Sequence, residues 1–315
     1  MKVDLTTTIK NLKFRNPVTV ASGTYGTTDE YAGYVEPKKL GAIITKTITV
    51  KPRAGNPMPR ICETSAGMLN AIGLQNKGLE DFLKNKIPYF QKLKVPLIVS
   101  IAGESVSEFS KLAETFDRLK DVVKALEVNL SCPNVETGGV NFMKKQERIL
   151  DAVKAVRDKT SLVTFAKISP ELGDVIEIAG KVIEQGMDGI SLINTLRGMA
   201  INIHTRSSRL AKDFGGLSGP AIKPVALRYV YQVKKEYNVP VIASGGICDT
   251  RDALEFLMVG ADLLAVGTAN FVIPAATVDI LKGIEAFMKK EKIQDLGKLR
   301  GSYKPACERG EGCSR

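Results

Sequence analysis

The chain has 315 residues, 44% of them hydrophobic and 25% charged, which bounds it to one large α/β barrel or two modest domains. No apolar run reaches the roughly 18 residues of a membrane-spanning helix. The net charge of +11 reads as a lysine-rich solvated surface or as attraction for an anionic ligand or acidic protein; nucleic acid is not expected, because the lysines are dispersed and the chain has no Trp.

The N-terminus has Asp4 close behind Met1 and no long apolar stretch. It does not read as a signal peptide, so a cytoplasmic location is expected. Eight β-rich runs follow in order: Pro17–Gly23, Ala42–Thr49, Pro96–Gly103, Ala125–Asn134, Leu162–Pro170, Gly189–Leu196, Pro240–Ile247 and Ala261–Ala269. Several are nearly continuous apolar segments, which suits parallel strands buried on both faces. Helical periodicity fills the intervals: Ser105–Val122 puts Val106, Phe109, Leu112, Ala113 and Phe116 on one face, and Ile149–Val156 and Val175–Ile183 repeat the pattern. Asp249 or Thr250 is placed to cap a further helix. Eight strand–helix alternations predict a (β/α)8 TIM barrel in a single domain over 1–315, with a short surface tail from about 300. A doubly wound sheet is the alternative, but no early Gly-x-Gly-x-x-Gly turn supports it.

Two stretches break the repeat. Lys51–Asn76 and Arg197–Pro220 are irregular insertions after strands 2 and 6, at the face where barrel sites are built. The strand ends carry an unusual polar load. They include Ala21-Ser-Gly, Lys46, Asn129-Leu-Ser-Cys-Pro-Asn134, Lys167 and Ile193-Asn-Thr195. A lysine in an apolar strand is costly unless its charge is paired. Two of them at equivalent strand ends favour a bound anion or an electron-rich ring. Strands 7 and 8 end in Ser244-Gly-Gly-Ile247 and Val266-Gly-Thr-Ala269, where glycines admit close backbone approach and a following helix N-terminus favours negative charge. Loops after strands 7 and 8 are a common barrel phosphate site. A phosphate handle with a lysine-lined cavity points to a phosphorylated cofactor such as FMN.

The five cysteines, at 62, 132, 248, 307 and 313, form no Cys-x-x-Cys pair, and His204 is the one histidine. This argues against a zinc site, a disulfide framework and a Ser-His-Asp triad. Cys132 stands apart, on a strand-end loop between Ser131 and Pro133 and flanked by two Asn. A thiol there can act as a base, and its carboxamide neighbours can grip a planar ligand with donor and acceptor alike. The plainer reading is a small buried hydrophobe, which also serves for the other four.

Taken together, Ala21-Ser-Gly-Thr-Tyr-Gly, Gly55-Asn-Pro-Met-Pro-Arg60, Asn70-Ala-Ile-Gly-Leu-Gln-Asn76, Asn129-Leu-Ser-Cys-Pro-Asn134, Gly215-Gly-Leu-Ser-Gly-Pro-Ala-Ile-Lys-Pro224, Ser244-Gly-Gly-Ile and Val266-Gly-Thr form a specific set. The chain resembles class 1 dihydroorotate dehydrogenases, most closely the NAD-linked catalytic branch, across essentially the whole barrel. The resemblance implies an FMN enzyme oxidising (S)-dihydroorotate to orotate in pyrimidine synthesis. Cys132 matches the family's base, which takes a proton from C5, while a hydride leaves C6 for the flavin. Lys46, Asn70, Asn129, Asn134, Asn194 and Thr195 match substrate-binding positions, with Ala71, Ile72, Gly73 and Leu74 in the same pocket. Lys46 also matches a flavin contact, as do Ser22, Thr47, Ser100, Asn129, Lys167, Ile193, Gly219, Gly245, Gly246, Gly267 and Thr268. Lys167 matches the cation at the N1/O2 edge of the ring.

Cys132 in place of Ser, without an N-terminal helical extension, separates the chain from the membrane-associated class. The segment from Ile203-His-Thr-Arg-Ser-Ser-Arg-Leu to Leu227 resembles the branch in which a homodimer pairs with an FAD and 2Fe–2S subunit that hands electrons to NAD+, a heterotetramer. A fumarate-linked homodimer is the alternative within class 1. A related barrel that reduces free pyrimidine bases continues its Asn-Leu-Ser-Cys-Pro with His, where this chain has Asn134. A non-enzymatic phosphate-binding barrel leaves the polar strand ends unexplained. Two departures stand out: Ser100 occupies a position usually held by a flavin-contacting Asn, and Val135–Lys145 lacks the usual Phe-Gly pair near Asn141–Phe142.

Overall fold

A computed structural model describes residues 1–26, 29–31, 33–130, 136–137, 140–141 and 146–305. Its centre is a sheet of eight parallel strands: β1 (Val18–Val20), β2 (Ile43–Ile44), β3 (Leu97–Ile101), β4 (Val123–Asn129), β5 (Val163–Ile168), β6 (Gly189–Leu192), β7 (Val241–Ser244) and β8 (Leu263–Val266). The hydrogen-bonded order runs β1-β8-β7-β6-β5-β4-β3-β2. The seam between β1 and β2 is joined by Gly41 N–H donating to Val18 O at 2.8 Å and by Thr19 Oγ1 donating to Ala42 O at 2.9 Å. Gly41 is required there, since a Cβ would lie 1.9 Å from Asn16 O. All eight runs expected from the sequence are strands of this barrel.

The strands are apolar on both faces because each face meets a different core. Val18, Val20, Leu126, Val128, Ile190, Leu192, Leu264 and Val266 pack outward against the helices. Ala42, Ile44, Ile98, Ala125, Val163, Phe165, Ile242, Leu263 and Ala265 fill the barrel. The same inner cluster takes in Ile9 and Phe14, from an N-terminal hairpin of Thr7–Ile9 and Leu12–Phe14 that closes the end where the strands begin. The sequence reading did not anticipate this plug.

The outer helices are α1 (Ile87–Leu93), α2 (Val106–Asp117), α3 (Gln146–Arg157), α4 (Val175–Glu184), α5 (Lys223–Tyr237), α6 (Thr250–Met258) and α7 (Ala276–Lys290). Among the described residues, the interval between β1 and β2 carries only single 3-10 turns, Asp29–Tyr31 and Pro37–Lys39. Ser105, Asp174 and Asp249 cap α2, α4 and α6 through their side chains, which accept otherwise orphaned N–H groups of the first turn.

The two insertions are less irregular than their composition suggests. Ile61–Thr64, Gly67–Asn70, Leu196–Gly198 and Gly215–Ser218 form one four-stranded antiparallel sheet, with Leu217 opposite both Leu69 and Leu196. The insertion after β2 and that after β6 thus become a single cover above the strand ends. Of the expected surface tail, Gly301 and Tyr303 donate their N–H groups to Leu257 O and Met258 O, and the Tyr303 ring meets Tyr231 edge-on. Cys307 and Cys313 lie outside the described residues. No described helix is long and apolar enough to cross a membrane.

Candidate active site

Where the strands end, side chains that would fill a closed core give way to a cavity of about 980 Å³ under the insertion sheet. This is the size range of small-molecule and cofactor sites. Its lining includes Ser22, Lys46, Thr47, Asn70, Ile72, Gly73, Leu74, Asn129, Lys167, Ile193, Asn194, Thr195, Gly219, Gly245, Gly246, Gly267 and Thr268. Motifs separated by more than 200 residues therefore converge, because parallel strands present all their C-terminal ends on one face.

Two expected positions stand back from the cavity. Ser100 is fully buried one layer below, where its hydroxyl shares a hydrogen bond of 3.0 Å with Thr47 Oγ1. Ala71 packs its methyl group with Leu69 and Leu210, and its backbone is already committed to Arg60 O and Asn56 Nδ2. Cys132 and Asn134 lie outside the described residues; Leu130 is the last described position before them. His204 is exposed on the insertion and does not line the cavity.

The floor is a network of small polar groups. Ser22 Oγ lies 3.1 Å from Thr47 Oγ1, Asn129 Nδ2 donates to Thr47 Oγ1 at 3.4 Å, and Asn194 Nδ2 donates to Asn129 Oδ1 at 3.5 Å. Asn194 Oδ1 also accepts the Thr195 N–H at 2.9 Å, and Asn70 Nδ2 donates to Gly216 O. These bonds orient the carboxamides and limit their rotamer freedom, which prepares them to meet a planar polar ligand.

The two lysines differ. Lys46 makes no ion pair among the described residues, and burial together with the Arg60 guanidinium pushes its ammonium below the ordinary lysine range. Lys167, 6% exposed, faces the Glu127 carboxylate at 3.5 Å. Glu127 is itself 1% exposed and accepts from Ser191 Oγ at 2.9 Å. Sequence reasoning demanded a partner for Lys167 but did not find it. The signal was a carboxylate in the neighbouring strand, with Glu127 opposite Phe165 in the β4–β5 register.

At the far side, Gly245 and Gly246 have φ of 122° and 75°, and Gly219 has φ of 98°. These values favour glycine, and a Cβ on Gly246 would lie 2.6 Å from Lys223 Cβ at the start of α5. Among the described residues, the N–H groups of Gly246, Gly267 and Thr268 meet no acceptor. The expected help from a helix N-terminus is corrected, since Asp249 and Asp252 close a capping box on α6 and the helix after β8 is only Ala269–Val272. The donors open to an anion are turn N–H groups. Cys248 also lines the cavity, and its thiol is pushed up to about 11 by burial and then by Asp252 and Asp249.

A model of the dihydroorotate dehydrogenase family matches residues 4–288. Similar curated proteins are each described as the catalytic subunit of dihydroorotate dehydrogenase B (NAD(+)). That of Geotalea uraniireducens is 47% identical over 96% of this chain and 98% of its own length. Those of Geotalea daltonii and Desulforamulus reducens are 48% and 47% identical, each over 96% of this chain and 99% of their own. The chain belongs to the dihydroorotate dehydrogenase family.

Proposed function

We propose that the chain oxidises (S)-dihydroorotate to orotate in pyrimidine biosynthesis, using FMN as its resident cofactor. The observation that carries this is the convergence of Lys46, Lys167, Asn129 and Asn194 on one cavity in a chain of this family. The residues fit the cofactor. Turn N–H groups at Gly246, Gly267 and Thr268 suit its phosphate, and the Ser22–Thr47 hydroxyls and Lys167 suit its polar ring edge. FMN, when bound, takes up the hydride equivalent released from C6 of the substrate.

The chain's own residues do the rest. Lys46 supplies a desolvated cation for the substrate carboxylate, where a charge-assisted bond is strong. Asn70, Asn129, Asn194 and Thr195 hold the ring through amide and hydroxyl groups, with Asn134 assigned to the same task. Cys132 is assigned the base that removes the C5 proton. The insertion sheet covers the cavity and excludes water. Electrons leave through a partner subunit carrying FAD and 2Fe–2S, with NAD+ as final acceptor and two copies of each subunit in the assembly. The relatives' description as catalytic subunits supports this reading.

The test is anaerobic mixing with the FMN-loaded chain. Dihydroorotate is expected to bleach the flavin absorbance, whereas dihydrouracil, which lacks the carboxylate, is not. No bleaching by dihydroorotate overturns the proposal. Rapid turnover of the purified single chain with NAD+ overturns the partner assignment.

A further inference from the structure

Glu127 is the most buried charged residue among the described ones, at 1% exposure, and no motif pointed to it. Its two oxygens have different partners. Oε2 accepts from Ser191 on β6 at 2.9 Å, while Oε1 faces Lys167 on β5 at 3.5 Å. The second contact is longer than the 2.7–2.9 Å of a tight charge-assisted bond. The ammonium is therefore neutralised but not fully engaged by the carboxylate. Lys167 lines the cavity and Glu127 does not. Seen from the cavity, the carboxylate stands behind the ammonium. Ser191 tethers it there, so it cannot follow Lys167 toward a ligand.

This arrangement offsets the cost of desolvating a lone cation. It also cancels part of the positive field that Lys167 projects into the cavity. We propose that Glu127 is a positioning residue that sets, through Lys167, how much positive charge the cavity presents to a bound redox cofactor. The proposal rests on the functional reading above, in which Lys167 faces the flavin. A cation beside the ring favours the reduced cofactor, which carries more negative charge. A counter-charge behind that cation moderates the effect.

The test is the midpoint potential of FMN in the loaded full-length chain, measured by equilibration with reference dyes. Glu127→Gln is expected to shift the oxidised-to-reduced equilibrium at least tenfold toward the reduced form, about 30 mV upward for a two-electron couple. Glu127→Asp keeps the charge but withdraws it by one methylene, so its rise is expected to be smaller, about threefold. Lys167→Gln is expected to move the potential the other way, at least tenfold toward the oxidised form, because it removes the cation and leaves the Glu127 carboxylate. A potential that is unchanged or lower in Glu127→Gln overturns the proposal, as does a potential that does not fall in Lys167→Gln. If Glu127→Gln does not fold, absence of any rise in Glu127→Asp overturns it alone. A wild-type chain that takes up no FMN overturns the functional reading and this proposal together. A wild-type flavin that dihydroorotate bleaches, with an unmoved potential in the variants, overturns only this proposal.

Discussion

Asp188 and Asp262 are the same device built twice at the opening of the barrel strands. Each stands two residues after a glycine of positive φ, in Gly186-Met-Asp188 and Gly260-Ala-Asp262, just before β6 and β8. Each donates its own N–H to the first part of the neighbouring strand and takes an N–H back: Asp188 with Thr164 at 3.0 and 2.8 Å, Asp262 with Val241 at 2.9 and 2.9 Å. Each also receives a cation from the helix that precedes the neighbouring strand, Arg157 of α3 before β5 or Lys234 of α5 before β7, both at 3.2 Å. A second cation arrives from a chain terminus: Lys10 on the hairpin plug for Asp188, Arg300 for Asp262. The plug and the C-terminal segment are thereby tied to the barrel by one repeated motif.

Removing either carboxylate strands a buried N–H and leaves two partly buried cations unpaired. A full burial penalty would reach about 3–5 kcal/mol; because Lys10 is half-exposed and Arg157 and Lys234 are only partly buried, about 2–3 kcal/mol is expected for Asp188→Ala or Asp262→Ala. Urea unfolding measures it. A loss below about 0.5 kcal/mol would show that the ion pairs carry no net stability.

The eight strands were legible because parallel strands buried on both faces leave continuous apolar runs, as in Leu263-Leu-Ala-Val266. Part of the cavity lining was legible because a polar residue interrupting such a run, as Lys46 and Lys167 do, is costly to bury unless a ligand or a partner meets it, whereas positions such as Asn70 and Gly219 came from the resemblance. The cover sheet was not. Ile61–Thr64 alternates only between exposed and half-buried, and Gly67–Asn70 pairs with Gly215–Ser218, nearly 150 residues away. Such pairing leaves no local periodicity. Glu127 was hidden for a related reason, since its partner depends on the register between strands rather than on spacing along the chain.

Lys46 should tie stability and binding to pH in opposite senses. Burial lowers its pKa from the ordinary 10.5. Between the lowered value and 10.5 the unfolded chain holds a proton that the folded chain has released, so ligand-free stability rises with pH across that window. Below the lowered value the handicap is fully present. Lys46→Met is expected to abolish this rise and to be more stable than wild type at pH 7. The same change removes the carboxylate's cation, and orotate affinity is expected to fall at least tenfold, the low end for a hydrogen bond to a charged group. Denaturant titrations across alkaline pH and calorimetric binding check both. A stability profile unchanged in shape would remove the desolvation argument.

Cys248 should be a slow thiol despite lining the cavity. A rise from 9.0 to about 11 cuts the thiolate fraction near pH 8 by roughly 100-fold, and the greater intrinsic nucleophilicity of a more basic thiolate returns about tenfold. Alkylation with iodoacetamide is expected to run about tenfold slower than for an ordinary exposed thiol, read by mass spectrometry of the Cys248 peptide. Asp252→Asn should speed it, since Asp252 is the leading charge holding the thiol up. Labelling at the ordinary rate would contradict the burial of this group.

Cys132 is the remaining assignment, and its test separates chemistry from binding. If it takes the C5 proton, Cys132→Ala leaves the carboxamides, Lys46 and the glycine turns in place, so orotate should still bind within about threefold of wild type. Flavin reduction by dihydroorotate should slow at least 100-fold, the lower range for loss of a general base. Cys132→Ser should restore part of the rate only at higher pH, because a hydroxyl gives up its own proton far less readily than a thiol, so the deprotonated form that acts as base is scarcer. Stopped-flow bleaching reads the rate and calorimetry the affinity. A rate within tenfold of wild type in Cys132→Ala would remove the residue from its role as base, whereas an equal loss of affinity and rate would mark it as a binding residue instead.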